Sequence, residues 1–127
     1  MKLKGFTILI ALFVLIVNGC RNAPIIPESP VISFGADIQP ILAGNCQMSS
    51  CHASSQNGGE ARARPLDTYT DVMSNGGIVP YQAHSSSLYE RVINESGNIM
   101  PPAPAQPLSQ QQLLNIYLWI MQGANNN

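Results

Sequence analysis

The sequence predicts an all-α domain of three to five short helices joined by long loops. Apolar residues recur with the 3.6-residue period of a helix in several short stretches, and no stretch alternates convincingly enough to predict a strand. The segments between them are rich in glycine and proline, with ten of each in 127 residues. This composition is typical of a single domain with many turns.

The first predicted helix covers about residues 37–45 and ends near Cys46. Three aliphatic residues in it have the i, i+3, i+4 spacing that places them on one helical face. Pro40 is compatible with this helix if Asp37 is the N-cap. The proline then lies in the first turn, where backbone N–H groups have no helical partner.

Two further short helices are predicted in the middle of the chain. One runs from Thr68 to Ser74, because Thr68 and Asp71 have the spacing of a capping box and a glycine pair follows the helix. The other covers about 86–95 and has its apolar residues on one side. The small, polar or proline-rich segments around them are predicted to be loops.

The strongest predicted helix begins after Ser109, which has capping-box spacing with Gln112, and ends at Gly123. Its apolar residues cover most of its circumference, so we expect it to pack on more than one side. They form two adjacent stripes, Leu113, Ile116, Tyr117 and Ile120 in the first and Leu114, Leu118 and Met121 in the second. The predicted core is small, and small domains of this kind often need a disulfide, a metal or a cofactor.

The first twenty residues have the features of an export signal. Lys2 and Lys4 precede an apolar run over residues 6–17, which is too short to span a membrane and typical of a signal peptide. The run ends at Val17-Asn18-Gly19-Cys20, which resembles the lipobox of bacterial lipoproteins. In that family the chain is cut before the cysteine, which then carries lipid.

The expected organisation is a signal peptide at 1–19, a lipid-anchored, proline-rich stalk at 20–32 and a domain at 33–127. Several acyl chains on Cys20 would anchor the protein stably to a membrane, facing the periplasm or the cell exterior. The alternatives are an ordinary signal peptide, with Cys20 incidental, or an uncleaved anchor.

The charge of the chain argues against binding to nucleic acid. The formal net charge is −1, and Lys2 and Lys4 of the predicted signal peptide are the only lysines. A nucleic-acid-binding domain normally carries a basic patch. A mildly acidic, lysine-free domain is also not built to coat anionic lipid by charge.

The segment Cys46-Gln47-Met48-Ser49-Ser50-Cys51-His52 places two thiols and an imidazole within seven residues. The common haem c attachment sequence is C-x-x-C-H, in which both thiols bond to porphyrin vinyl groups and the histidine reaches the iron. The present C-x₄-C-H spacing meets the same demand if the extra residues bulge outward. A Cys46–Cys51 disulfide is one alternative in an oxidising compartment, although it leaves His52 unexplained. A zinc site is another, and the only further histidine is His84.

The chain resembles the small c-type cytochrome domains of bacterial exported lipoproteins over about residues 33–124. The matching pieces are individually short, and their order makes the resemblance specific. They are Asp37-Ile38-Gln39-Pro40-Ile41-Leu42, Cys46…Cys51-His52, Val79-Pro80, Ser86-Ser87-Leu88-Tyr89, Met100-Pro101-Pro102, and Trp119-Ile120 before Gly123-Ala124.

The resemblance implies a cytochrome c-like fold, in which short helices surround one covalently bound haem c. It implies thioether bonds from Cys46 and Cys51, His52 as the proximal iron ligand and Met100 as the distal ligand. The residues themselves agree on Met100, because it lies on a proline-rich loop and a soft thioether sulfur suits haem iron. Methionine–histidine ligation raises the reduction potential.

Other residues compete for the distal position. His84 is the alternative ligand, or else a surface histidine that caps the helix after it. Met48 lies inside the attachment loop, too close to reach the far face of a haem. Met73 and Met121 have helical spacing among apolar residues and are predicted to belong to the core.

Four further side chains have two possible roles each. Arg62 and Arg64 could pair with haem propionates, but they lie in a predicted loop where solvation is the simpler expectation. Tyr117 and Trp119 could flank a haem or pack in the core.

The favoured function is a membrane-anchored monohaem cytochrome that carries single electrons between exported or membrane redox proteins. With both axial positions of the iron filled, no site is open for a substrate, and no Ser-His-Asp set, carboxylate pair or phosphate-binding loop is evident. We therefore predict a carrier and not an enzyme. The alternatives are a non-redox helical lipoprotein stapled by a Cys46–Cys51 disulfide, and a haem sensor or peroxidase with an open distal site.

Overall fold

The structure, a computed structural model, describes residues 29–48, 51–54, 64–93 and 97–127. Over these ranges the chain is helical and contains no strand, which confirms the all-α prediction. The helices are α1 (Gln39–Asn45), α2 (Tyr69–Asn75), α3 (Ser87–Ile93) and α4 (Gln110–Met121). A π-helical turn, Phe34–Ile38, leads into α1, and a 3-10 turn, Ala83–Ser85, precedes α3.

The first helical segment begins earlier than the sequence predicts. Its N-cap is Ser33, whose Oγ accepts the N–H of Ala36 at 3.3 Å. Asp37 is not the N-cap; it lies inside the turn, and its carboxylate accepts the N–H of Ser33 at 2.8 Å. Ser33, four residues before Asp37, provides the capping oxygen. The Asp37 carboxylate therefore accepts the N–H of Ser33 instead of capping the helix itself. Pro40 lies in the first turn of α1, and α1 ends before Cys46, as predicted.

The other predicted caps are confirmed. Thr68 and Asp71 form the capping box of α2, and Ser109 and Gln112 form that of α4. Gly123 has φ +104°, a conformation that glycine adopts easily, and it follows the end of α4. The 3-10 turn before α3 is a feature that the sequence did not predict.

Helix α4 lies at the centre of the fold and contacts the π-helical turn, α3 and the 3-10 turn. Burial follows the first apolar stripe, since Ile116 and Ile120 are fully buried. The second stripe is less covered than predicted, because Leu114 is 46% and Met121 39% exposed. The prediction that Met121 belongs to the core is therefore wrong.

The two ends of the described chain lie against each other. The backbone N–H of Phe34 donates to the side-chain oxygen of Asn127 at 3.0 Å, and that of Gly35 to its carbonyl oxygen at 3.1 Å. Residues 29–32, the described end of the predicted stalk, contact Gln122, the C-cap of α4, whose side-chain oxygen accepts the N–H of Ile32.

A cluster of three aromatic rings, those of Phe34, Tyr69 and Trp119, joins these ends to the core. Trp119, for which the sequence left core packing and a place beside a haem both open, is fully buried, and its Nε1–H donates to the carbonyl oxygen of Asn125 at 2.9 Å. The Phe34 ring lies 5.6 Å from that of Trp119 and 5.2 Å, edge to face, from that of Tyr69. The remaining large buried side chains come from all four helices and the loops between them: Ile32, Ile38, Ile41, Leu42, Leu66, Val72, Ile78, Leu88, Val92, Leu108, Ile116 and Ile120.

Several predictions fall outside the described residues. These are the signal peptide at 1–19, the lipid-bearing Cys20 and the stalk up to residue 28, Arg62, and the end of the helix predicted at 86–95. Among the helices that the structure does describe, none has the length and apolar character that crossing a membrane requires.

Candidate functional site

The attachment segment is closed by backbone hydrogen bonds into a compact loop. Cys46 caps the C-terminus of α1 with its N–H on the carbonyl oxygen of Leu42. Its own carbonyl oxygen accepts the N–H of His52 at 3.1 Å, and Cys51 donates to the carbonyl oxygen of Met48 at 3.2 Å. The loop therefore brings the first and last residues of the C-x₄-C-H sequence together. Cys46 and Cys51 are both free thiols in the structure.

The imidazole of His52 is held by a main-chain carbonyl group. Its Nδ1 lies 2.8 Å from the carbonyl oxygen of Arg64. A carbonyl oxygen accepts only from a protonated nitrogen, so in a neutral imidazole this contact places the proton on Nδ1 and leaves the lone pair on Nε2. Histidines that ligate metals commonly donate their other N–H to a carbonyl group in this manner. His52 is therefore prepared to ligate through Nε2.

The sequence did not reveal this role of Arg64. The side chain of Arg64 is exposed, in agreement with the expectation of a solvated arginine, while its backbone carbonyl contacts the site. No motif marks a carbonyl group twelve residues away from the histidine, and only the fold could show it.

The thiol of Cys46 lies in an apolar setting. The residue is half-buried and packs against the hydrophobic core. Burial raises the pKa of this thiol from 9.0 to about 11, because the thiolate would lose its hydration. The Cys46 thiol is thus neutral at ordinary pH.

Met100 lies on the irregular segment after residue 97, as predicted. It is half-buried, and its backbone N–H donates to the carbonyl oxygen of Arg91 at 2.9 Å. This bond attaches the loop to the last turn of α3, and the buried Pro101 follows directly. By contrast Met48 is 58% exposed, and Met73 packs against the core as predicted.

His84 is a surface residue, as predicted. Its side chain is 64% exposed, and its Nδ1 lies 3.4 Å from a carboxylate oxygen of Glu90 in α3. Its ring lies 5.3 Å from that of Tyr89 and 6.3 Å from that of Tyr117. These contacts hold His84 against the outside of α3 and α4.

A set of apolar side chains remains half-buried although each packs against the core. Two of them, Tyr89 and Ile93, lie one helical turn apart on α3, and Leu113 and Tyr117 lie one turn apart on α4. Its members are Cys46, Tyr69, Met73, Tyr89, Ile93, Leu113, Tyr117 and Leu118. Tyr117, unlike Trp119, is thus available to line a bound apolar group.

The family comparison agrees with this geometry. Residues 49–104 match the family described as Planctomycete cytochrome C. This segment is similar to a c-type cytochrome. The match spans Cys51, His52 and Met100 and begins three residues after Cys46. It supports a c-type cytochrome domain and implies haem c as the cofactor. Neither a curated protein nor a solved structure matches the chain.

The residues present fit haem c. Two unpaired thiols and a histidine with its Nδ1 already engaged form the donor set that thioether attachment and iron ligation need. The zinc alternative finds no such support, because the described residues contain no group of three His, Cys, Asp or Glu side chains placed to hold a metal ion.

Proposed function

We propose that this protein is a membrane-anchored, monohaem c-type cytochrome that carries one electron at a time. The observation that carries the proposal is the hydrogen bond between Nδ1 of His52 and the carbonyl oxygen of Arg64. It orients the ring as a proximal ligand needs, in the residue that follows Cys51 and whose backbone N–H donates to the carbonyl oxygen of Cys46.

Each residue of the site has a defined task in this proposal. Cys46 and Cys51 hold one haem through thioether bonds, His52 is the proximal ligand and Met100 the distal one. Haem c, when bound, supplies an iron atom that changes between the ferrous and ferric states. Cys46 is half-buried against the core and the Met100 loop is bonded to α3, so both residues are tied to the helical framework.

The proposed surroundings follow from the rest of the chain. Cys20 carries the lipid that holds the domain at the outer face of a membrane. The partners are other exported or membrane redox proteins, and nucleic acid is not among them. With His52 and Met100 both ligating, the protein is a carrier and not an enzyme.

An optical experiment tests this proposal. The chain is expressed with a haem c maturation system, and we expect a sharp reduced α-band from haem that survives acid extraction. A colourless product would contradict the proposal.

The distal ligand is tested by Met100→Ala, with Met121→Ala as the matched control on an exposed methionine. We expect Met100→Ala to change the ferric spectrum and lower the reduction potential, since it removes a thioether ligand. Met121→Ala should change neither. An unchanged Met100→Ala spectrum would point to His84 or to an open distal site.

A further inference from the structure

The Arg64 carbonyl group that accepts from His52 is not fixed by its own residue. The Arg64 side chain is exposed and makes no described contact that would hold the backbone. The position of this oxygen therefore depends on the contacts of the backbone segment 64–66, to which Arg64 belongs.

Hydrogen bonds from two side-chain amides hold that segment. Nδ2 of Asn75 donates to the carbonyl oxygen of Pro65 at 2.8 Å, and Nε2 of Gln47 donates to that of Leu66 at 3.0 Å. The N–H of Leu66 also donates to the carbonyl oxygen of His52 at 2.8 Å, and its side chain is 6% exposed. Each of the three residues of the segment thus makes at least one hydrogen bond through its backbone.

The two amide donors come from different parts of the fold. Asn75 is the last residue of α2, and Gln47 follows Cys46 inside the attachment loop. Both residues are half-buried, and their bonds join positions 10 and 19 residues apart. Local helix geometry does not require either bond, so their effect is to tie α2 and the attachment loop to the segment 64–66.

We propose that Gln47 and Asn75 are positioning residues that set the ring plane and the basicity of His52 through the segment 64–66. This inference rests on the proposed function, because it assigns both residues a role toward the iron ligand. A hydrogen bond to a carbonyl group raises the electron-donating power of the ligating imidazole and fixes its orientation. A stronger donor favours ferric iron, so loosening the segment 64–66 raises the reduction potential.

The test uses the haem-loaded protein with Gln47→Ala, Asn75→Ala and the double variant. Gln47→Met, which keeps the length of the side chain and removes the donor, serves if Gln47→Ala does not mature. Two variants serve as matched controls. Gln111→Ala removes an exposed hydrogen bond of 2.8 Å from a side-chain amide to Asn115, and Asn125→Ala removes one of 3.1 Å to Gln122. The readouts are the reduction potential and the pattern of haem methyl shifts in the ferric NMR spectrum.

We expect both single variants to raise the potential and rearrange the haem methyl pattern, and the double variant to do so further. The controls should retain the wild-type values. Variants that melt at lower temperature and keep both wild-type readouts would overturn the inference and leave the proposed function intact. A wild-type chain without covalent haem would overturn the proposed function itself, and this inference with it.

Discussion

The imidazole of His52 and the carbonyl group of Arg64, twelve residues apart in sequence, meet at 2.8 Å. The contact connects the attachment loop to the segment that leads into α2. It also determines which nitrogen of the ring is free, because the protonated Nδ1 faces the carbonyl oxygen. The proposal that His52 ligates through Nε2 depends on that assignment.

The burial of Cys46 predicts that its thiol reacts slowly in the folded chain without haem. With its pKa raised from 9.0 to about 11, the thiolate fraction of Cys46 at pH 8 is about a hundred times below that of an unperturbed cysteine. Alkylation followed by peptide mass analysis should modify Cys46 much more slowly in native buffer than in concentrated urea. Equal rates of Cys46 alkylation in the two conditions would contradict the burial.

The same shift predicts how stability depends on pH. Between pH 9.0 and about 11 the folded chain holds the Cys46 proton and the unfolded chain releases it. The free energy of unfolding should therefore fall as pH rises through that window, by at most about 2–3 kcal/mol. Urea titrations of the haem-free chain at several pH values measure this change in the free energy of unfolding. Cys46→Ala should remove this part of the pH dependence.

Two adjacent serines predict a large difference in stability. Ser86 is fully buried; its Oγ accepts the N–H of Val79 at 2.9 Å and donates to the carbonyl oxygen of Gln82 at 2.9 Å. Ser86→Ala removes the partner of the N–H of the half-buried Val79 and should cost about 1–3 kcal/mol. Ser85→Ala, at an exposed position, should cost less than about 0.5 kcal/mol in the same denaturant titration. Equal effects would contradict this account of the turn before α3.

Gly123 should not tolerate a side chain. It has φ +104°, and a Cβ there would lie 2.7 Å from Oη of Tyr81. Gly123→Ala should lower the free energy of unfolding by about 2 kcal/mol or more, from backbone strain and the clash together. In a Tyr81→Ala background the loss should be smaller, because only the backbone strain remains. A double-mutant cycle without coupling would show that Tyr81 does not oppose the Cβ.

His84 should have no part in ligation. Its side chain is 64% exposed and contacts Glu90, Tyr89 and Tyr117. We expect His84→Ala to keep the ferric spectrum, including the charge-transfer band of methionine ligation. A wild-type spectrum without that band, together with a changed ferric spectrum in His84→Ala, would assign the distal position to His84.

The sequence predicted those features of the fold that depend on nearby residues. The capping boxes of Thr68 and Ser109 are local, and both are confirmed. The assignment of Asp37 as an N-cap failed for a local reason, since Ser33 competes for the same role. The exposure of Met121 could not be predicted, because periodicity identifies an apolar stripe and not the element that covers it.

The candidate site divides in the same way. The order of Cys46, Cys51 and His52 along the chain was sufficient to predict haem attachment as the favoured chemistry. The bonds from Gln47 and Asn75 to the segment 64–66 were not predictable. A glutamine amide and a backbone carbonyl group carry no signal in a sequence, and their meeting depends on how the segment 64–66 folds back against the attachment loop.

The mass of one tryptic peptide tests the central claim most directly. Cleavage after Arg21 and Arg62 releases residues 22–62, which contain both Cys46 and Cys51. After expression with a haem c maturation system, this peptide should carry the mass of one haem, with no hydrogen lost, because each thiol adds across a vinyl group. A peptide at its bare mass, or lighter by the two hydrogens of a disulfide, would contradict the account.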